Sequence, residues 1–210
     1  MALHAVVFDY GMVLTGLPDP VAYEALKRIS GLSAERLDKF YWADRHAYDE
    51  GKLTGLQFWQ KIVRDAELSL SDETVAELNE WDARMWTTHN PAMVAWQARL
   101  VERGLKTAIL SNMGDSVHES IERTYDWIGR FDVRVWSYEL KVAKPDRKIY
   151  EHVLEKLGTP AEETLFLDDK LENIEAAHAL GMKGIVFSTV EKLRADLMAA
   201  GYDAFLPLPE

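Results

Sequence analysis

Four places in the sequence set polar side chains beside short apolar runs. Asp9 follows Ala5-Val6-Val7-Phe8, Ser111-Asn112 follows Thr107-Ala108-Ile109-Leu110, and Asp168-Asp169 follows Leu165-Phe166-Leu167. Lys144 precedes Pro145-Asp146 after the run Val133-Arg134-Val135-Trp136. Runs of this kind read as strands, and the most apolar of them as strands buried on both faces in a parallel sheet. A carboxylate at the carboxyl end of such a strand lies where open α/β sheets bind ligands, and it is equally placed to cap the next element. Taken singly, Ser-Asn reads as a turn, Lys-Pro as a solvated loop and Asp-Asp as a helix start. Convergence on one sheet edge would turn them into a single site, in which carboxylates, a hydroxyl, an amide and an ammonium act on one substrate.

The elements that must position these groups are legible from caps and periodicity. Asp19-Pro20 opens a helix bearing Val21, Ala22, Ala25, Leu26 and Ile29. Ser33 opens one with Leu37, Phe40 and Tyr41, Thr54 and Gln57 form a capping box before Phe58, Trp59, Ile62 and Val63, and Ser71 opens one with Val75, Leu78 and Met85. Residues 16–88 are thus all helix by pattern, and their many aromatic side chains read mainly as the core of a small bundle. From Asn90-Pro91 onward helices alternate with strands, the last strand being Gly184-Ile185-Val186-Phe187 and the closing helix Val190 to Ala200. Such alternation predicts an α/β fold, a Rossmann-like doubly wound parallel sheet with a helical insertion after its first strand.

Composition narrows the partners. The 210 residues carry a net charge of -11 and no cysteine. That charge disfavours nucleic acid and anionic membrane, and the missing thiols exclude disulfides, a thiol nucleophile and thiolate metal sites. No apolar run is long enough to span a bilayer and no signal-peptide pattern precedes the first strand, so a cytoplasmic address is expected. The six histidines show no ligand spacing and read as surface or core residues.

In order and type, the four signals resemble the motifs of the haloacid dehalogenase-like (HAD) hydrolase superfamily. Phe166-Leu167-Asp168-Asp169 with Asn173-Ile174-Glu175-Ala176-Ala177, and Lys144-Pro145-Asp146 with Ile149-Tyr150, are most similar to phosphatases akin to glucose-1-phosphatase and the N-terminal phosphatase domain of soluble epoxide hydrolase. The resemblance implies an α/β core over residues 1–15 and 89–210 with a helical C1 cap over 16–88. It implies a Mg²⁺-dependent phosphatase of a small phosphorylated metabolite, a sugar phosphate first among them, acting through an aspartyl-phosphate on Asp9.

The physical requirements of phosphoryl transfer agree with that assignment: an in-line nucleophile, cations around the transferring oxygens and a rigid arrangement. Carboxylates converging on one point repel unless a cation sits between them, and an all-oxygen site of that charge suits Mg²⁺. Asp9, Asp169 and the Gly11 carbonyl are the expected ligands, Asp168 acts directly or through water, and Asn173 stands behind them. Ser111, the Asn112 amide and Lys144 are expected to hold the phosphoryl oxygens, with Gly11 in the phosphate loop.

One position departs from the superfamily pattern. Most HAD phosphatases place a second Asp two residues after the nucleophile, as acid and then base; here that residue is Gly11. Two other readings therefore stand beside the phosphatase, a non-catalytic or very slow binding protein of the same fold and a 2-haloacid dehalogenase. Some of Trp42, Tyr48, Trp86 and Thr15 are expected to line the entrance.

Overall fold

In a computed structural model that describes residues 2–210, the first strand is the middle of the sheet. The strands are β1 (Ala5–Phe8), β2 (Lys106–Ser111), β3 (Val133–Trp136), β4 (Thr164–Asp168) and β5 (Lys183–Val186). All run parallel, in the order β3-β2-β1-β4-β5. Every residue of β1 is buried because helices cover both sheet faces. Side chains alternate across a strand, so Val6 and Phe8 enter one core with Trp96, Leu100 and Ile109, while Ala5 and Val7 enter the other with Ile149, Tyr150 and Phe166. The expected doubly wound sheet is present.

The chain runs outward from β1 through β2 to β3, then returns to the other side of β1 for β4 and β5. The direction of winding therefore reverses between β1 and β4, and the crevice beyond the carboxyl ends at such a reversal is where α/β sheets bind ligands. Asp9 and Asp168 flank it.

Four helices separate β1 from the rest of the sheet: α1 (Pro20–Ser30), α2 (Ala34–Asp49), α3 (Gly55–Asp65) and α4 (Asp72–Met85). Each starts at the anticipated cap. Asp19, Ser33, Thr54 and Ser71 accept from first-turn backbone amides, with Gln57 completing the box at Thr54; a cap of this kind is worth about 1 kcal/mol. These helices enclose their own core of Leu26, Leu37, Phe58, Trp59 and Leu78. The remaining helices, α5 (Pro91–Glu102), α6 (Asp115–Thr124), α7 (Ser137–Leu140), α8 (Arg147–Leu157), α9 (Leu171–His178) and α10 (Val190–Ala199), pack around the sheet.

The helical region is tied to the sheet edge by backbone contacts. Ser137 Oγ donates to the Asp49 carbonyl, Lys141 Nζ donates to Gly51 O at 2.6 Å, and Gly55 N donates to Asp115 Oδ1 at 2.9 Å. Gly114 is the closest approach: a Cβ there would lie 2.1 Å from the Tyr48 ring. Among the described residues, no helix is long and apolar enough to cross a membrane.

Candidate active site

Asp9 lies one residue beyond β1, where the backbone still pairs, its N–H donating to Leu167 O at 2.8 Å. The chain then turns tightly through residues Tyr10–Leu14, with Met12 at a φ of 60°. Tyr10 N donates to Asp9 Oδ1 at 2.7 Å, and Thr15 closes the turn, its Oγ1 accepting from Met12 N at 2.9 Å. The turn holds the carboxylate in one orientation. Gly11 faces open space on this turn: a Cβ added there would meet nothing within 4 Å.

Lys144 bridges the two strand ends. Its Nζ lies 2.9 Å from Asp9 Oδ1 and 2.7 Å from Asp168 Oδ2, with the side chain almost wholly buried. Asn112 sets its position, since the Asn112 side chain accepts from Lys144 N at 2.7 Å and donates to Lys144 O at 2.9 Å. The Asn112 side-chain amide is therefore occupied in holding Lys144, which leaves the backbone N–H of that residue for a ligand. Asp168 Oδ1 accepts from Asn173 Nδ2 and from Lys170 N, each at 2.9 Å, and Tyr150 in turn donates to Asn173 O at 3.1 Å.

The electrostatics show a charge deficit. Burial, reinforced by Asp168 and Asp169 and opposed by Lys144, pushes the Asp9 carboxyl up to about 7. Burial and then Asp168 raise Asp169 as well. Burial works against the Lys144 ammonium, yet Asp9 and Asp168 outweigh it and hold that pKa above the ordinary lysine range. Three carboxylates converge where Lys144 pairs with two of them and Lys170 acts on the third from the cleft rim.

Ligand oxygens of Asp9, Asp168 and Asp169 come within 4.8 Å of one another, a hard all-oxygen donor set suited to a divalent ion. A second feature agrees. Asn173 Oδ1 is buried without a hydrogen-bond partner among the described residues, directly behind those acids. Such an acceptor is expected to find a metal-bound water.

A cleft of about 500 Å³ gathers the predicted residues: Asp9, Gly11, Ser111, Asn112, Lys144, Asp169 and Asn173 all line it. Asp168 lies beneath, fully buried. Of the aromatic entrance residues, Trp42 and Trp86 line the cleft. Tyr48 and Thr15 do not: Tyr48 is fully buried and stacked on Phe58, and Thr15 is spent on the turn after Asp9. Both contribute packing instead. Sequence reasoning missed Arg45, His46 and Asp49, which α2 presents to the same cleft. Arg45 and Asp49, at i and i+4, share one face of that helix with His46 at its border, and that pair was the available signal. His46, read as an ordinary surface or core histidine, stands at the cleft wall.

Comparison with known proteins points the same way. The model of the haloacid dehalogenase-like hydrolase family matches residues 3–181. A sesquiterpene phosphatase of Aspergillus oryzae is 38% identical over 94 residues, 44% of this chain and 47% of that protein, so the match spans about half of that relative. A phosphatase of Mycobacterium tuberculosis is 29% identical over 189 residues, 87% of this chain and 86% of that one. Among solved structures, a HAD family enzyme of Bacteroides thetaiotaomicron in complex with magnesium and inorganic phosphate superposes with a TM-score of 0.72 at 23% identity, covering 89% of this chain and 95% of the other. That likeness establishes the shared fold.

Proposed function

Because the chain belongs to the haloacid dehalogenase-like hydrolases, we propose that it hydrolyses phosphate monoesters of small metabolites through an aspartyl-phosphate on Asp9. The observation that carries this reading is Lys144 held between Asp9 and Asp168 at the sheet reversal, with Asp169 beside them and Ser111 and Asn112 across the cleft. The relatives named as phosphatases support it. Residues 16–88 serve as the cap, contributing Trp42, Arg45, His46, Asp49 and Trp86 to the cleft.

The carboxylate of Asp9 attacks phosphorus in line, the bond to the ester oxygen breaks, and water then hydrolyses the acyl phosphate to release phosphate. Ser111 Oγ, the Asn112 N–H and the Lys144 ammonium hold the phosphoryl oxygens by hydrogen bonds that strengthen as charge moves onto them. Lys144 also favours the ionised, nucleophilic form of Asp9. Mg²⁺, held by Asp9, Asp169 and the Gly11 carbonyl with Asp168 and Asn173 behind, would supply charge neutralisation at the same oxygens. No carboxylate projects from position 11, so the departing oxygen receives no proton from that place, and among esters that bind equally well those with better leaving groups react faster.

A metal-free haloacid dehalogenase would have no use for the Asp168–Asp169 pair, which argues against that alternative. The sugar phosphate expected from the sequence would find Arg45, His46 and Asp49 as partners for its hydroxyls. Phosphorylated metabolites, with 2-haloacids as controls, should be screened with Mg²⁺ and with chelator. Phosphate release that requires Mg²⁺ is the expected result. Halide release without metal, or no turnover of any ester, would overturn the reading.

A further inference from the structure

Beside the cleft lies a second hollow of about 290 Å³ that belongs wholly to the helical region and its approach. Leu26, Leu37 and Met85 form its floor, and Pro18, Trp42 and Trp86 wall both this groove and the cleft. Its one charged lining residue, Asp38, accepts from the Tyr23 hydroxyl at 2.8 Å. The groove is thus apolar, whereas the cleft next to it carries Lys144, Arg45 and the acids.

Its walls are set in advance. Trp86 Nε1 donates to the Tyr41 hydroxyl at 3.1 Å, and the Arg45 guanidinium lies 5.1 Å from the Trp86 ring centroid. Pro18 and Pro20, both on the lining, restrict the backbone leading into α1. Trp42 contrasts with its neighbours. Most aromatic side chains of α2 and α3 pack inside, but Trp42 stays 58% exposed at the ridge common to both hollows.

We propose that this groove is the subsite for the organic portion of the substrate, and that the substrate is a phosphate monoester of an apolar alcohol. The proposal rests on the phosphatase reading and extends it to a substrate class, with a sugar phosphate as the competitor. An anionic head held at Ser111 and Lys144 and an apolar tail laid past Trp42 over Leu26, Leu37 and Met85 match the polarity of the two hollows in one continuous ligand. A sugar confined to the cleft could reach Arg45, His46 and Asp49 but would leave the groove unused, and one entering the groove would lose partners for its hydroxyls, which is unfavourable for groups removed from water.

The test is binding of non-hydrolysable alkylphosphonates, ethyl to decyl, by calorimetry below their micelle concentrations, beside alkyl phosphate and sugar phosphate turnover. Dissociation constants should tighten about fourfold per added methylene, the transfer free energy of a buried CH₂ expressed as an affinity ratio, until the groove is filled. Trp42→Gln, a change at an exposed position that folding tolerates, should flatten that dependence. Equal binding of ethyl and decyl phosphonates, equal binding of the matching alcohols without phosphonate, or higher kcat/KM for sugar phosphates esterified at a primary hydroxyl than for long-chain primary alkyl phosphates would overturn the proposal. So would a dimer in solution that loses the groove to a second copy. A chain-length dependence with no turnover of any ester would uphold the groove and overturn the phosphatase reading, so the two failures are distinct.

Discussion

Two buried ionic clusters in this molecule use the same ingredients and end differently. In the helical region, Asp82 Oδ1 accepts from the Tyr41 hydroxyl at 2.7 Å and Oδ2 from Trp59 Nε1 at 3.2 Å, with Arg45 3.9 Å away. Tyr41 in turn accepts from Arg45 and Trp86, and Arg45 is paired with Asp49 at 2.8 Å. Burial raises the Asp82 carboxyl, yet each of its oxygens has a fixed donor and the residue is inaccessible. At the sheet edge, Lys144 pairs with Asp9 and Asp168, Asp169 is half-exposed to the cleft with no ion pair among the described residues, and Asn173 Oδ1 stands unpartnered among them. A polar network completed by its own donors is structural; one short of positive charge and open on one side takes its missing partners from solution.

That contrast is broken most directly at Asp9. Asp9→Asn should lower kcat by about 10³-fold or more while leaving a cooperatively folded protein, since the amide is nearly isosteric but cannot form the phospho-enzyme. Full activity in the folded variant would show that the open cluster is not the reacting one. Next comes the metal. Asp169→Ala should abolish the rise in Tm with Mg²⁺ and cost about 10²-fold or more in activity, whereas Asn173→Ala should cost about tenfold. A larger loss at Asn173 would reverse the assignment of which residue touches the ion.

Gly11→Asp sharpens the comparison by adding a carboxylate on the open side, where nothing lies within 4 Å of the new Cβ. A plot of log(kcat/KM) against leaving-group pKa should be steep in the natural protein and flatter in the variant, with alkyl esters gaining about 10²-fold. A flat plot in the natural protein would mean that another group, such as Asp49 or His46 on the cleft wall, already protonates the leaving oxygen. In the closed cluster, Asp82→Asn should lower stability by about 1–3 kcal/mol and leave kcat per folded molecule unchanged, because the weakened acceptor is buried and does not line the cleft. A fall in kcat without a fall in Tm would place that network in the chemistry.

A pH dependence in metal-free protein tests the open cluster by stability alone. With its carboxyl at about 7 when folded and near 4 when unfolded, Asp9 binds a proton preferentially in the native state between those values. Wild type should therefore lose stability relative to Asp9→Asn as pH rises from about 4 to about 7, and no further above that. Denaturant titrations of both proteins across the window measure it; a difference that stays constant with pH would show that burial does not perturb Asp9.

Much of this architecture was legible because its signals are local. β1 and β4 announce themselves as apolar runs, and Ser33, Ser71 and the Thr54–Gln57 pair mark helix starts within a few residues of the turns they cap. Strand alternation with helices then determines a parallel sheet, and a parallel sheet puts Asp9, Ser111 and Asp168 at one edge, whatever the details of packing. The departure at Gly11 was equally readable, being a matter of residue type alone.

Tertiary structure decided which side chains of a helix meet which neighbour. Trp42 and Tyr48 both lie on α2 and are both amphipathic rings, yet one stands at the cleft and the other is buried where Gly114 leaves room for it. No local pattern separates them, because the glycine that admits Tyr48 belongs to a distant segment. The same holds for Asn112, whose side chain holds Lys144 in place, and for Arg45, whose charge is matched by Asp49 on its own helix and Asp82 on another. Sequence by itself determined the elements and the end of the sheet where the polar residues collect, since hydrophobic period and capping act over single turns. Side-chain partnership depends on contacts between remote segments, and those exist only once the helices have docked on the sheet.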